Sequence, residues 1–235
     1  MATASETPSA QFTLQGAWRG ARAVAPILIV AAVFGLAFGA AASEAGLTLY
    51  ATTLMSAVVF AGASQFAALD LWAEPMPWAA LITITFAINA RHILMGAVVY
   101  PWMRPLPHYQ RYAALVVMTD ANWAAAVRAR SLGETDFAYL MGSGLIIWVI
   151  WVPGTIAGAL ASNLITAPEK LALDAVMACF FAALLAGMFE RERDVPPWLV
   201  AAATALASQY VLPGHWYIVA GGLAGGLIGA LRYAK

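Results

Sequence analysis

PWAALITITFAINARHILMGAVVY, residues 77–100, decides how this chain is to be read. As an α-helix the stretch would be about 36 Å long, enough to cross a hydrocarbon core of about 30 Å. Its one charged side chain, Arg91, would lie about 21 Å along the helix from Pro77 and about 15 Å from Pro101, with His92 beside it. A charge at that depth costs roughly 2.5–3.5 kcal/mol on insertion scales, so it belongs against other protein groups or a water-filled path rather than lipid.

The rest of the chain places the same demand on its surroundings. Of 235 residues, 63% are hydrophobic and 10% are charged, against about 25% charged in a soluble domain. No Asp, Glu, Lys or Arg occurs in 23–43, 45–69, 137–168, 175–189 or 195–231. All but 175–189 are near or beyond the roughly 17–25 residues that span a bilayer as helix. The net charge is zero and no basic stripe exists, which excludes nucleic acid as a partner. One cysteine, Cys179, excludes an internal disulfide and any multi-cysteine metal site.

The expected fold is therefore all-α, a polytopic membrane protein of about seven or eight transmembrane helices, with interrupted helices and internal repeats among its features. Apolar segments fall at 23–42, 47–69, 77–100, 109–127, 137–161, 171–189, 196–212 and 214–232. Residues 1–15 read as a disordered tail, and 16–235 as a single transmembrane domain. With the tail inside, Arg19, Arg22, Arg128, Arg130, Arg191, Arg193, Arg232 and Lys235 fall on the cytoplasmic side, as the positive-inside tendency asks. Asp70 and Glu74 inside, and Arg104 and Arg111 outside, disobey it; a re-entrant second or third segment would remove the conflict. Gly39-Ala-Ala-Ala-Ser43 is echoed by Gly158-Ala-Leu-Ala-Ser162, a match that a repeat or alanine-rich chance both explain. Gly221, Gly225 and Gly229 share one helix face and allow close backbone approach, within the chain or to a partner subunit.

Three apolar segments carry polar clusters. The second has Phe60-Ala61-Gly62-Ala63-Ser64-Gln65-Phe66, where a helix can loosen only if its freed backbone groups line a cavity or meet neighbouring side chains. Gly62, Ser64 and Gln65 read equally as tight helix packing and as a ligand-lining site. The third has Asn89-Ala90-Arg91-His92. The Arg91 guanidinium matches a carboxylate, whether of a substrate or of a structural ion pair. His92 carries the side-chain type suited to proton transfer near neutral pH, and could carry a proton or simply fill a core hydrogen bond. The fourth has Thr119-Asp120-Ala121-Asn122. If segments three and four both cross, Asp120 reaches the depth of Arg91, as a proton carrier or a permanent ion pair. Asp174 and Gln209 are lesser candidates. No zinc, Walker or nucleophile-elbow motif is present, and the three histidines are scattered, so neither a metal nor catalysis is expected.

Taken in order, Pro26, Gly35-x-x-x-Gly39, Ser56, the Phe60–Phe66 stretch, Asn89-Ala90-Arg91-His92 and Thr119-Asp120 resemble the AzlC family, over about residues 16–190. The resemblance implies a proton-driven exporter of branched-chain amino acids (Val, Leu, Ile) in a bacterial cell inner membrane, working with a small AzlD-type subunit and no cofactor. Where the family usually shows Thr-Asp-Glu, this chain has Thr119-Asp120-Ala121. On that reading Arg91 takes the substrate carboxylate, Gly62, Ser64, Gln65, Asn89 and Asn122 orient the ligand, and Asp120 with His92 serve proton coupling. The rival expectations are a passive channel for a small polar solute and a non-transporting membrane scaffold.

Overall fold

A computed structural model of the chain describes residues 11–162, 182, 186, 191–212 and 216–233. Asp174, Cys179 and the Pro213-Gly214 turn lie outside the described residues. Among those described, the regular elements are helices: α1 (Leu14–Ala23), α2 (Ala25–Glu44), α3 (Leu49–Val59), α4 (Gly62–Leu69), α5 (Trp78–Asn89), α6 (Arg91–Met103), α7 (His108–Val116), α8 (Asp120–Ser131), α9 (Ala138–Ala161), α10 (Arg191–Gln209) and α11 (Trp216–Tyr233). Among the described residues, three stretches are long and apolar enough to cross a membrane: Ala25–Glu44, Ala138–Ala161, and Trp78–Met103, which joins α5 to α6. At the joint, Ala90 keeps right-handed helical angles (φ −53°, ψ −28°). This is an all-α membrane protein. The described residues divide into two compact units, one of 11–60 and 92–162, the other of 61–91 with the helices after residue 190.

In the first unit α1 and α2 run parallel to α9 along its length. Thr13 caps α1 by accepting from Gly16 N (3.0 Å), and its hydroxyl donates to Asp136. Asp136 is buried, accepts from Thr13 N (3.1 Å) and from Ala138 N (3.0 Å), and so caps α9 as well. A single carboxylate ties the two helix starts together. Farther along, glycines remove the side chains that would hold the helices apart. A Cβ at Gly39 would lie 1.9 Å from the Thr155 carbonyl oxygen, and one at Gly158 would lie 1.9 Å from that of Leu36. Gly35 faces Trp151 and Gly154 faces Ala32 in the same reciprocal way. The seam ends at a hydrogen bond between the Ser43 and Ser162 hydroxyls (3.0 Å). The two echoed Gly-x-x-x-Ser stretches thus pack on each other, residue i beside residue i + 119. In a membrane, where lipid is as apolar as leucine, this close van der Waals and backbone contact is what holds helices together.

After α2 the chain reverses. Gly46 adopts a left-handed conformation (φ 85°) that L side chains rarely take, and Leu47 N bonds back to Ala42 O (3.0 Å). Thr48 then caps α3 by accepting from Ala51 N (3.2 Å). α3 descends antiparallel to α9, with Ser56 Oγ 2.8 Å from Thr155 Oγ1 and Trp148 donating from Nε1 to Ala57 O (3.0 Å).

The fourth apolar stretch folds back instead of crossing. Trp123 Nε1 donates to Met95 O (3.1 Å), and the Arg130 guanidinium sits 5.5 Å from the Trp102 ring centre. Both pairs differ by 28 residues, so α6 and α8 are parallel and end at one level. The chain between them must therefore climb back, and α7 does so before turning at Val117–Thr119. That turn lies against α9 at Gly144, whose added Cβ would be 2.1 Å from Val117 O, about 9 Å along α9 from Ala138. Trp102 Nε1 donates to Thr135 O (2.9 Å), beside the Asp136 cap. So the ends of α6 and α8 share the side on which α1 begins, here the tail side. Arg104 and Arg111 come to that side with Arg128 and Arg130, which removes one of the two charge conflicts. The fourth segment thus turns back as well, a possibility that the sequence raised only for the second or third.

In the second unit α10 and α11 are antiparallel. A Cβ at Gly221 would meet Ala201 O at 2.8 Å, and one at Gly225 would meet Pro197 O at 2.9 Å. The glycine stripe of the last helix therefore packs within the chain. α4 packs against α5, and α5 against α11.

Candidate functional site: polar motifs at three helix interruptions

Two polar clusters sit at helix breaks and the third at the α5–α6 joint, where Ala90 keeps its bond to Phe86 O (2.8 Å). In the second segment α3 ends at Phe60, a non-glycine residue in the left-handed region (φ 43°), and α4 begins at Gly62. A conformation of that kind costs of order 1–3 kcal/mol and persists where the surroundings over-determine it. Here the loosened backbone is satisfied by the motif itself. Gln65 Oε1 accepts from Ala61 N (3.1 Å), and Ser64 Oγ donates to Ala61 O (3.0 Å). Ser64 and Gln65 are buried, and Gly62 occupies the first position of α4. Asn89, the last residue of α5, donates from Nδ2 to Ser64 Oγ (3.1 Å). The second unit thus brings together Gly62, Ser64, Gln65 and Asn89, with Arg91 half-buried two residues further on. The intrahelical ladder of α4 starts at Gln65 N. The amides of Gly62, Ala63 and Ser64 therefore carry the positive end of the helix dipole.

The remaining predicted residues lie in the first unit. His92 stands at the start of α6 and Asp120 at the start of α8. The 28-residue register between these parallel helices puts the two at one height, and both are half-buried. Asn122 is wholly buried and fully engaged. Its Oδ1 accepts from Thr119 N (2.6 Å) and Thr119 Oγ1 (3.0 Å), and its Nδ2 donates to Val117 O (3.1 Å) and Leu140 O (3.0 Å). Two donors and two acceptor lone pairs are all this amide has. It pins the α7–α8 turn to α9 and holds Asp120 at a helix N-terminus, where a carboxylate is favoured. Gln209 closes α10 in the second unit. Arg91 is counted with the second unit and Asp120 with the first.

Several interacting polar groups escaped the sequence reading. Asp136 stands immediately before an apolar run, the position of a capping residue, and that placement was the available signal. Ser56, Thr155 and Trp151 form a buried triad in which Trp151 Nε1 donates to Ser56 Oγ (3.1 Å). On the tail side Arg19 donates two hydrogen bonds of 2.9 Å to Glu134. These bonds hold the Glu134 carboxyl below the ordinary glutamate range, helped by the Asp136 and Thr135 amides.

Residues 26–165, from α2 through α9 and so through all three polar clusters, match the model of a family described as AzlC protein. The chain belongs to the AzlC family. An uncharacterized membrane protein of Archaeoglobus fulgidus is 28% identical over 207 residues, covering 86% of this chain and 89% of its own length. Inner membrane protein YgaZ of Escherichia coli is 27% identical over 181 residues, 72% of each chain. No solved structure matches the chain. AzlC membership together with relatives named as membrane proteins supports a transporter-type role in a membrane.

Proposed function

We propose that this AzlC family member is a multi-pass secondary transporter of a bacterial cell inner membrane, exporting branched-chain amino acids in exchange for protons and performing no catalysis. A small AzlD-type subunit would work with it. The observation that carries the reading is the coincidence of two polar motifs with helix breaks, at Phe60–Ala61 and Val117–Thr119, and of a third with the α5–α6 joint at Ala90. In lipid an interrupted helix must satisfy its freed backbone groups on protein or in a cavity. Transporters use such half-helix ends to hold ionised ligands.

The carboxylate of Val, Leu or Ile would be drawn to Arg91 and to the first-turn amides of α4. Gly62 would leave room for the approach, while Ser64, Gln65 and Asn89 orient the ligand. Asp120, at one height with His92, would exchange the proton. Asn122 serves by positioning, since its polar atoms are committed to the turn. The tail side, with Arg19, Arg22, Arg104, Arg111, Arg128 and Arg130, is the cytoplasmic one by the positive-inside tendency.

Valine counterflow in proteoliposomes, with and without a co-encoded small subunit, tests the proposal. Arg91→Ala should reduce saturable counterflow at least tenfold while the protein still reaches the membrane, and normal counterflow would remove Arg91 from the site. Asp120→Asn should keep exchange but flatten its pH dependence. Flux that neither saturates nor responds to a proton gradient would replace the transporter by a passive channel.

A further inference from the structure

We infer that residues 49–69 do not cross the membrane: this segment leaves and returns on the side away from the tail, and the 70–76 loop lies there with Asp70 and Glu74. The inference follows from counting crossings along the chain and holds whatever the protein carries.

α2 starts on the tail side, because Thr13 and Asp136 join the starts of α1 and α9, and it ends at Glu44 on the far side. α6 ends on the tail side, because Trp102 bonds to Thr135 next to that same cap. Trp78–Met103 is apolar and long enough to span. If it spans and finishes on the tail side, it begins on the far side at Trp78. Both ends of 49–69 then face the far side, and an even number of passes must separate them. α3 descends from that side and stops at Phe60, after about 16 Å of helix, roughly half of the hydrocarbon thickness. Phe60-Ala61-Gly62 would be the turning point and α4, about 12 Å long, the way back.

Charge is compatible with this path but does not choose it: the positive-inside tendency counts Lys and Arg, and the 70–76 loop has neither, so Asp70 and Glu74 can lie opposite the arginine cluster. Length alone is silent on this choice, since two half-helices end to end would also reach across.

The test is cysteine accessibility in the full chain with Cys179→Ser as background. Ala73→Cys and Glu74→Cys mark the loop, and Leu132→Cys marks the tail side; all three positions are exposed. A membrane-impermeant maleimide is applied to intact cells and to inverted vesicles. Both loop cysteines should be labelled in intact cells to the extent reached after detergent treatment, while Leu132→Cys is labelled only in inverted vesicles. Labelling of Ala73→Cys and Glu74→Cys from the same face as Leu132→Cys would overturn the hairpin and make 49–69 a crossing helix. A reporter domain fused after Ala73 gives the same readout without relying on thiol reactivity, active outside if the hairpin holds and inside if it does not.

Discussion

Asn122 shows how a residue's type can point to a ligand while its partners point to the fold. A buried amide in an apolar segment reads as a ligand group, yet its four hydrogen-bonding positions go to Thr119, Val117 and Leu140. Replacing it by alanine strands the Val117 carbonyl and the Thr119 amide, at roughly 1–3 kcal/mol for each group left unsatisfied, while the Leu140 carbonyl keeps its bond from Ser143 Oγ (3.0 Å). Asn122→Ala should therefore lower the melting temperature of detergent-purified protein, for a total loss of roughly 3 kcal/mol. A substrate-contact role would instead change ligand affinity at unchanged stability. The three motifs themselves were legible residue by residue, because polar side chains stand out against hydrocarbon. Asp136 was not, since an acid in a short polar loop looks the same whether it is solvated or caps two helices.

Among the elements, the seam between α2 and α9 carries the clearest consequence of the sequence pattern. Gly35, Gly39, Gly154 and Gly158 let two backbones touch, and each is matched by its counterpart 119 residues away. Alanine at Gly158 would press its methyl into Leu36 O at 1.9 Å, against backbone that cannot swing aside. Gly96 on α6 has nothing within 4 Å of an added Cβ. Gly158→Ala should thus cost stability while Gly96→Ala stabilises by up to about 1 kcal/mol, the ordinary helix preference for alanine. Thermal unfolding of the two variants side by side checks the contrast; equal melting temperatures would mean the seam tolerates separation. The four-residue spacing was visible in the sequence, but which helix received it was not. Any glycine-lined face can pack on any other, and the three-dimensional partner supplies the choice.

At the scale of the molecule, the tail side is fastened by charge. Arg19 is about half exposed and Glu134 mostly covered, so their bridge is worth roughly 0.2–1 kcal/mol. The depressed carboxyl sets the direction with pH. Its ionised form stabilises the fold at every pH above the unfolded glutamate value, and the contribution fades only as pH falls through the lower folded value. Glu134→Gln should consequently lower the melting temperature slightly at neutral pH, and the difference should shrink as acidification protonates Glu134 in the folded protein. A difference that grew on acidification would contradict the bridge.

The sequence by itself determined that this chain lives in a membrane, that it is all helix, that polar groups gather at three points, and which family it resembles. Each of these follows from composition and local spacing, and the cost of placing charge or unpaired backbone in lipid makes them nearly independent of the partner helices. The tertiary structure alone decided that the fourth segment turns back at Val117–Thr119, that α2 and α9 are parallel, and that Asn122 is committed to the turn. Hydropathy measures whether a segment can sit in hydrocarbon and carries no direction. A helix that crosses and a pair of half-helices that enter and return bury the same residues, and only the side-chain contacts that set one helix beside another distinguish them.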